Sequence, residues 1–308
     1  MKIFQWQFAH PRYWSNWLGL LLMRLSVYLP AKIQLWVGNH MATLMRPFME
    51  KRNRIAARNI ELCFADWSPQ QRQQLLDKTI QTMGMMPIET ALSWWASDKY
   101  LESRVRYEGL EHLEQALARG KGVILLTGHF TSMELGGRLI MLKTPCYVMF
   151  HQLKNPLFNA AMMQARTFHS EGIVLRDDPR SLVRALRKNK VVWYAPDQDF
   201  GRKTSVFAKF FGVQAATIPA TARIVKMSDA AVIPFVPRRE QDGSYTLTLG
   251  SPLKDFPVGD DIADAQRIND LIEKEIRKLP EQYLWAHRRF KTQPDGKGLL
   301  YKKKPHNN

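Results

Sequence analysis

The sequence predicts an α/β fold in which a mixed, mostly parallel sheet is covered by helices, preceded by an N-terminal helical segment that associates with a membrane. One observation predicts the sheet and its helices: short apolar runs alternate with longer amphipathic runs, at the spacing typical of β-α-β units. A second observation predicts the N-terminal segment, where tryptophans and leucines surround a few basic residues. We expect a membrane anchor over residues 1–48 and a single α/β domain over residues 49–308 that ends in a basic tail.

The predicted elements follow one another without a long linker. Ser68-Pro69 is a typical helix start, with serine as cap and proline in the first turn, and the helix should run to Ser97 with a kink near Pro87. Strands are expected at residues 122–127, 146–150, 173–175, 191–195 and 232–236, with an edge strand at 244–249. Helices are expected at residues 110–118, 132–141, 156–169, 179–188, 219–227 and 262–278.

The N-terminal segment contains an apolar stretch between Pro11 and Pro30. A membrane-spanning helix needs about 20 apolar residues, whereas this stretch has 18 residues with Arg24 near the middle. A central arginine costs at least about 2.5–3.5 kcal/mol on insertion scales. We therefore expect a helix that dips into or lies on the membrane, followed by a second helix that ends at Pro47. A pair of amphipathic helices packed on the domain is the alternative.

The charge is concentrated at the two ends of the chain. The sequence has 45 Lys and Arg against 28 Asp and Glu, a net charge of +17. Residues 1–58 contain nine basic residues and one acid, and residues 281–308 contain seven basic residues and two acids. Such basic ends favour an anionic partner. Because they flank an apolar anchor and no recognised nucleic-acid motif occurs, we expect a membrane surface and no nucleic acid.

A histidine and a glutamate follow the predicted strand at residues 122–127. Gly128 allows a tight turn, His129 comes next, and Glu134 follows as a helix begins. In open α/β sheets, ligands bind beyond the carboxyl ends of the strands. A carboxylate bonded to one ring nitrogen raises the basicity of the other, so Glu134 folded back onto the imidazole would make His129 a general base. A histidine that caps the turn beside a surface glutamate is the alternative.

Two aspartates follow the predicted strand at residues 191–195. Asp197 and Asp199 could hold a divalent metal against a diphosphate, as in sugar-nucleotide transferases, or could cap a turn or pair with an arginine. Arg166 and Arg202 could meet substrate phosphates, with a surface role as the alternative for each. The sequence contains no G-x-S-x-G, P-loop, G-x-G-x-x-G or HExxH pattern, so the enzyme classes that these motifs indicate are not predicted. The two cysteines, Cys63 and Cys146, form neither a disulfide framework nor a CxxC motif.

Longer motifs are distributed over nearly the whole chain. They are HPRYW…WLG (10–19), RNIELCF (58–64), the glycine and histidine with their glutamate (128–134), VVWYAPDQDFG…SVF (191–207), IPFVPRR (233–239) and PEQYLWAHRRFKT (280–292). In these motifs the chain resembles the late acyltransferases of lipid A biosynthesis, with the lauroyltransferase branch closer than the myristoyltransferase branch. One departure is Thr131-Ser132-Met133, where many members have Gly-Asn-Trp, and it leaves the preferred acyl-chain length open.

The resemblance implies a fold like that of the glycerolipid acyltransferases and a specific reaction. An acyl chain, lauroyl in the first instance, would pass from acyl-carrier protein to a 3-hydroxyacyl hydroxyl of the lipid A precursor Kdo2-lipid IVA. The reaction would take place at the cytoplasmic face of the inner membrane without a metal or organic cofactor. The alternatives are a myristoyl- or palmitoleoyl-transferring member and, from another class, a metal-dependent membrane glycosyltransferase that uses the two aspartates.

The resemblance also implies roles for individual residues. The family's catalytic histidine and acid correspond to His129 and Glu134, and its supporting arginine and aspartate correspond to Arg166 and Asp199. We add Gly128, Asp197 and Arg202 as further candidates for support or substrate binding. The histidine would take the proton of the attacking hydroxyl, and backbone N–H groups at the start of the following helix would bind the oxyanion.

Overall fold

A seven-stranded sheet forms the centre of the fold in a computed structural model, which describes residues 3–150, 152–175, 178–296 and 299–301. The expected lysine tail at residues 302–304 lies outside the described residues. The strands are β1 (Val105–Glu108), β2 (Val123–Leu126), β3 (Cys146–Phe150), β4 (Gly172–Leu175), β5 (Val191–Tyr194), β6 (Val206–Phe210), β7 (Val213–Thr217), β8 (Ala231–Arg239) and β9 (Tyr245–Leu249). The order in the large sheet is β1-β9-β8-β2-β5-β3-β4, and β6 and β7 form a separate antiparallel pair.

Twelve α-helices occur in the described residues. They are α1 (Trp14–Ser26), α2 (Ala31–Met45), α3 (Glu50–Cys63), α4 (Pro69–Met83), α5 (Met86–Trp95), α6 (Asp98–Glu102), α7 (Leu110–Ala118), α8 (Met133–Ile140), α9 (Pro156–His169), α10 (Pro179–Arg187), α11 (Ala220–Ser228) and α12 (Asp261–Lys278). Ser68 caps α4 in a capping box with Gln71, as its sequence position predicts. The expected kink near Pro87 is a complete break instead, because α4 ends at Met83 and proline occupies the first turn of a new helix.

The predicted mixed, mostly parallel sheet is confirmed. Strands β8, β2, β5, β3 and β4 run parallel to one another, whereas β9 pairs antiparallel with β8 and parallel with β1. The prediction that β9 lies at the edge of the sheet is wrong, because β1 pairs with its outer side and forms the edge. Neighbouring strands β2 and β5 are in register from their first to their last residues, so the chain leaves both at the same edge of the sheet.

Alternate residues of the central strands enter different cores on the two faces of the sheet. Leu126 and Tyr194 pack with α12 on one face, and Leu125 and Trp193 pack with α8 on the other. Strands buried on both faces read as continuous apolar runs. This burial explains why β2 and β5 were recognisable in the sequence as unbroken runs of apolar residues.

The N-terminal helices pack against the domain. Leu20 of α1 is buried, α1 contacts α5, and α2 contacts α4. Arg24 lies on the protein side of α1, where its guanidinium donates to the carbonyl oxygen of Trp95 at 3.4 Å and lies over the Trp95 ring. No helix within the described residues combines the length and the apolar character needed to cross a membrane.

Candidate active site

Two side chains singled out in the sequence meet at the shared edge of β2 and β5. His129 lies three residues beyond the end of β2, and Asp197 lies three residues beyond the end of β5. Gly128 lies in a crowded position, because a Cβ atom there would lie 3.1 Å from the Ile272 side chain and 3.4 Å from both Asp197 Oδ2 and the Tyr283 ring. The glycine therefore relieves a tight contact with Ile272 at this turn.

Asp197 is the carboxylate that bonds the imidazole. Its Oδ1 atom bonds His129 Nδ1, and its Oδ2 atom accepts from the backbone N–H of His129 and from the Tyr283 hydroxyl, both at 2.8 Å. Burial alone would lower the pKa of His129, but the charge of Asp197 and the hydrogen bond to it raise that pKa above its ordinary value. Burial would likewise raise the pKa of Asp197, but the attraction of His129 holds it well below its ordinary value. In the neutral imidazole, an ionised Asp197 keeps the proton on Nδ1, and the lone pair then lies on Nε2.

Glu134 belongs to a second buried ion pair. The Arg166 guanidinium binds it through Nη2 to Oε2 at 2.5 Å and through Nε to Oε1 at 3.2 Å, while Trp94 Nε1 donates to Oε1 at 3.1 Å. A further N–H of Arg166 donates to the carbonyl oxygen of Met149 at 3.1 Å. Burial would raise the pKa of Glu134, but the charge and hydrogen bonds of Arg166, with the bond from Trp94, lower it. Glu134 is therefore ionised at neutral pH.

The prediction that the Glu134 carboxylate bonds the imidazole is wrong. The carboxylate on the ring is Asp197, which reaches it from the neighbouring strand, whereas Glu134 in the first turn of α8 meets Arg166 of α9. Arg166, expected to meet substrate phosphates, bonds a protein carboxylate and a backbone carbonyl instead.

Asp199 and Arg202 hold the C-terminal segment against the loop that follows β5. The Asp199 carboxylate accepts from the backbone N–H of Thr292 at 2.7 Å, from the Thr292 hydroxyl at 2.9 Å and from the backbone N–H of Gly201 at 2.9 Å. Arg202 Nη2 donates to the carbonyl oxygens of Gln293 and Pro294. Within the described ranges, no three or more His, Cys, Asp and Glu side chains are grouped so that they could hold a metal ion.

The C-terminal segment also contributes to the site, in a way that sequence reasoning missed. The backbone N–H of Leu284 donates to the carbonyl oxygen of His129, and the backbone N–H of Thr131 donates to that of Gln282, both at 2.8 Å. Between these bonds, the fully buried Tyr283 places its hydroxyl on Asp197. The motif PEQYLWAHRRFKT marked this segment, but nothing in its pattern indicated which carboxylate its tyrosine would bond.

An apolar cavity of about 390 Å³ has both His129 and Glu134 in its wall. Its lining residues come from α1, α5, α8, α9 and the loops at the sheet edge: Met23, Met86, Pro87, Thr90, Trp94, His129, Phe130, Thr131, Met133, Glu134, Leu153, Phe158, Met162 and Leu284. Ligand sites are concave and mostly apolar, with a few placed polar groups. The cavity has that character. The two expected catalytic residues, His129 and Glu134, both line it, although no hydrogen bond joins them.

Comparison with known families identifies the chain. Residues 1–292 match the family described as bacterial lipid A biosynthesis acyltransferase. The chain belongs to this family. The resemblance seen in the sequence motifs is therefore confirmed, and the protein is an acyltransferase of lipid A biosynthesis.

Three relatives of this lipid A acyltransferase, all from Escherichia coli (strain K12), differ in the acyl group they are named for. The chain is 37% identical to the lipid A biosynthesis palmitoleoyltransferase over 300 residues, which cover 97% of the chain and 98% of the relative. It is 38% identical to the lauroyltransferase over 289 residues, 93% of the chain and 94% of the relative. It is 29% identical to the myristoyltransferase over 308 residues, which cover 98% of the chain and 94% of the relative. The lauroyl and palmitoleoyl relatives are thus nearly equally similar, and the myristoyl relative is less so.

Proposed function

We propose that this enzyme transfers a fatty acyl group, lauroyl in the first instance, from the thioester of acyl-carrier protein to a 3-hydroxyacyl hydroxyl of Kdo2-lipid IVA. The observation that carries the proposal is an apolar cavity of about 390 Å³ whose wall contains His129, a histidine bonded to the buried carboxylate of Asp197. A palmitoleoyl donor is the second candidate, because the palmitoleoyl and lauroyl relatives are 37% and 38% identical to the chain.

The cavity supports an acyl chain as ligand. Apart from His129 and Glu134, its wall consists of apolar side chains and the threonines Thr90 and Thr131. Burial of each CH₂ group stabilises the complex by about 0.8 kcal/mol. Binding of an acyl chain in the cavity therefore becomes more favourable with each CH₂ group that is buried. The thioester carbonyl at the head of that chain would then lie beside the polar groups in the wall.

His129 acts as the general base. Nε2 takes the proton of the acceptor hydroxyl while its oxygen attacks the thioester carbonyl carbon, and Asp197 stabilises the imidazolium that forms. When the C–S bond breaks, the imidazolium returns the proton to the leaving thiolate. In this mechanism the acyl group passes directly between the substrates. Neither cysteine carries it, because Cys63 and Cys146 are buried and burial raises the pKa of both thiols.

Glu134 supplies a second negative charge in the same cavity wall. Its ionised carboxylate stabilises the imidazolium of His129 electrostatically, and Arg166 holds the carboxylate in place. Arg166 is thus a positioning residue. The metal-dependent glycosyltransferase is not supported, because the carboxylates of Asp197 and Asp199 already accept bonds from protein donors and the chain belongs to an acyltransferase family.

An assay of donor preference tests the proposed function. Full-length protein is incubated with Kdo2-lipid IVA and, separately, with the lauroyl, palmitoleoyl and myristoyl thioesters of acyl-carrier protein, and products are read by mass spectrometry. We expect a lauroyl product at the highest rate, unchanged by EDTA because proton transfer through His129 needs no metal. The proposal is contradicted by the absence of any acylated lipid, or by a loss in EDTA that magnesium or manganese restores.

The N-terminal segment supports attachment to a membrane surface, and we propose that this surface is the cytoplasmic face of the inner membrane. Helix α1 has an outward stripe of Trp14, Leu18, Leu21, Leu22 and Leu25, each between 52% and 65% exposed. At about 1.5 Å per residue, this helix is about 20 Å long, shorter than the roughly 30 Å of hydrocarbon in a bilayer. With Arg24 turned toward the domain, the stripe lies in the membrane interface instead of crossing the bilayer.

Charges introduced into this stripe are expected to release the protein from membranes. Replacing both Leu18 and Leu22 with glutamate should weaken the free energy of membrane binding by about 2–3 kcal/mol. This change corresponds to a tenfold or greater loss of protein that floats with liposomes. The matched control carries glutamate at Val258 and Ile262, which are equally exposed but lie outside the N-terminal segment, and it should float like the wild type. Equal flotation of the two double variants would place membrane attachment elsewhere.

A further inference from the structure

Thr131 is a buried polar residue in the wall of the cavity that contains His129 and Glu134. The residue is only 4% exposed and lines the cavity, yet its Oγ1 atom is buried and has no hydrogen-bond partner in the described part of the chain. Its backbone is anchored, because its N–H donates to the carbonyl oxygen of Gln282 at 2.8 Å. Burying a hydroxyl without a partner costs free energy, so such a group requires an explanation.

The backbone donors around the histidine are already occupied. The N–H groups of His129, Phe130, Thr131 and Met133 each donate within the chain at distances of 2.8–3.1 Å. The indole N–H of Trp94, which also lines the cavity, donates to Glu134. The expectation that backbone N–H groups would bind an oxyanion therefore fails for these four residues, whereas the Thr131 hydroxyl has no partner within the described residues.

We propose that the Thr131 hydroxyl donates a hydrogen bond to the carbonyl oxygen of the acyl thioester and stabilises the oxyanion, which makes Thr131 a further catalytic residue. This inference rests on the proposed acyl transfer. As the acceptor oxygen bonds to the carbonyl carbon, its proton moves to His129 Nε2 and the carbonyl π electrons move to the oxygen bound by Thr131. Collapse of the oxyanion re-forms the carbonyl, breaks the C–S bond and releases the thiol with the proton from the imidazolium.

Ser132 provides a matched control in the same turn. Its Oγ atom is equally buried and has no hydrogen-bond partner within the described residues, but Ser132 does not line the cavity. Loss of its hydroxyl therefore reports the effect of removing a buried hydroxyl from this turn without removing a donor from the site.

The test compares Thr131→Val, Thr131→Ser and Ser132→Ala in full-length protein with lauroyl-acyl-carrier protein and Kdo2-lipid IVA. Removing one oxyanion donor lowers kcat by about 10²–10³-fold, so Thr131→Val should show that loss with the KM for the thioester nearly unchanged. Thr131→Ser keeps the hydroxyl and should recover most of kcat, and Ser132→Ala should match the wild type. A Thr131→Val enzyme that keeps its kcat, or a Ser132→Ala enzyme that loses as much, overturns the inference.

Thermal unfolding checks that each variant is folded, and if Thr131→Val is not, Thr131→Ala provides the hydroxyl-free comparison with Thr131→Ser. Failure of the proposed function is separate, because in that case the wild-type enzyme itself would transfer no lauroyl group. An active wild type with an equally active Thr131→Val variant would reject only the role of Thr131.

Discussion

Replacing His129 with alanine is expected to lower kcat by about 10²–10⁴-fold, the range that general-base catalysis by a positioned side chain contributes. The imidazole is bonded to Asp197 through Nδ1 and can accept a proton only at Nε2, so alanine leaves no base beside the acceptor hydroxyl. Steady-state acyl transfer from lauroyl-acyl-carrier protein measures the loss, and circular dichroism with liposome flotation checks folding and membrane attachment. Turnover near that of the wild type would exclude His129 as the base.

Asp197→Asn is expected to move the pH dependence of the same reaction. The rate requires neutral His129 and therefore rises as the pH passes through the pKa of the imidazole. Burial lowers that pKa and the charge of Asp197 raises it, so without the charge the rise in kcat/KM should begin at lower pH. The maximal rate should fall as well, because the imidazolium formed in the transition state loses its counter-charge.

Asp199→Asn is the matched control for this pH experiment. The substitution is the same and lies two residues farther along, but that carboxylate bonds Thr292 and Gly201 instead of the imidazole. The control should leave the rise in kcat/KM at its wild-type pH, even if it loosens the C-terminal segment. An unmoved profile in Asp197→Asn, or equal movement in both variants, would contradict the assignment of Asp197 to His129.

The parts of the fold that could be predicted are those in which local pattern and burial agree. Strands β2, β3 and β5 and helices α7, α9 and α12 lie within one or two residues of their expected bounds, because each is an apolar run or an amphipathic repeat between turn residues. The β6–β7 hairpin was missed because its segments are short and contain lysine, glutamine and alanine. The place of β9 inside the sheet could not be predicted, because pairing with β1 is a long-range choice.

The candidate site shows the same limit. His129 could be singled out, because a glycine and a histidine at the end of a buried strand form a local signal. The carboxylate on its ring could not be assigned, because sequence spacing favoured Glu134, whereas Asp197 comes from the strand that pairs with β2 in space. Tyr283 was equally hidden, since it reaches Asp197 from a segment 86 residues farther along the chain.

Replacing Glu134 with glutamine is expected to lower kcat by about 10²-fold, the lower end of the loss when one electrostatic contact to the reacting groups is removed. The substitution keeps the size of the side chain but removes the charge that stabilises the imidazolium. It also leaves the Arg166 guanidinium, only 13% exposed, without its counter-charge. Breaking a buried ion pair costs up to about 3–5 kcal/mol, so the midpoint of thermal unfolding should fall too.

A paired variant separates these two effects. Glu134→Gln combined with Arg166→Gln removes both charges and leaves no unpaired buried ion, so the unfolding midpoint should recover toward the wild type. If the glutamate acts on the reaction, kcat stays low in the paired variant although the protein is stable again. Recovery of kcat together with stability would show that the ion pair serves only the structure.

Combining Glu134→Gln with His129→Ala then identifies the group on which the glutamate acts. Its charge is expected to work through the imidazolium, and once the imidazole is gone the glutamate has no charge left to stabilise. The double variant should therefore be little slower than His129→Ala alone, since effects of residues that act as one unit are not additive. Multiplication of the two defects would instead mean that Glu134 contacts the substrates independently of His129, for example by accepting a hydrogen bond from the acceptor lipid in the cavity that both side chains line.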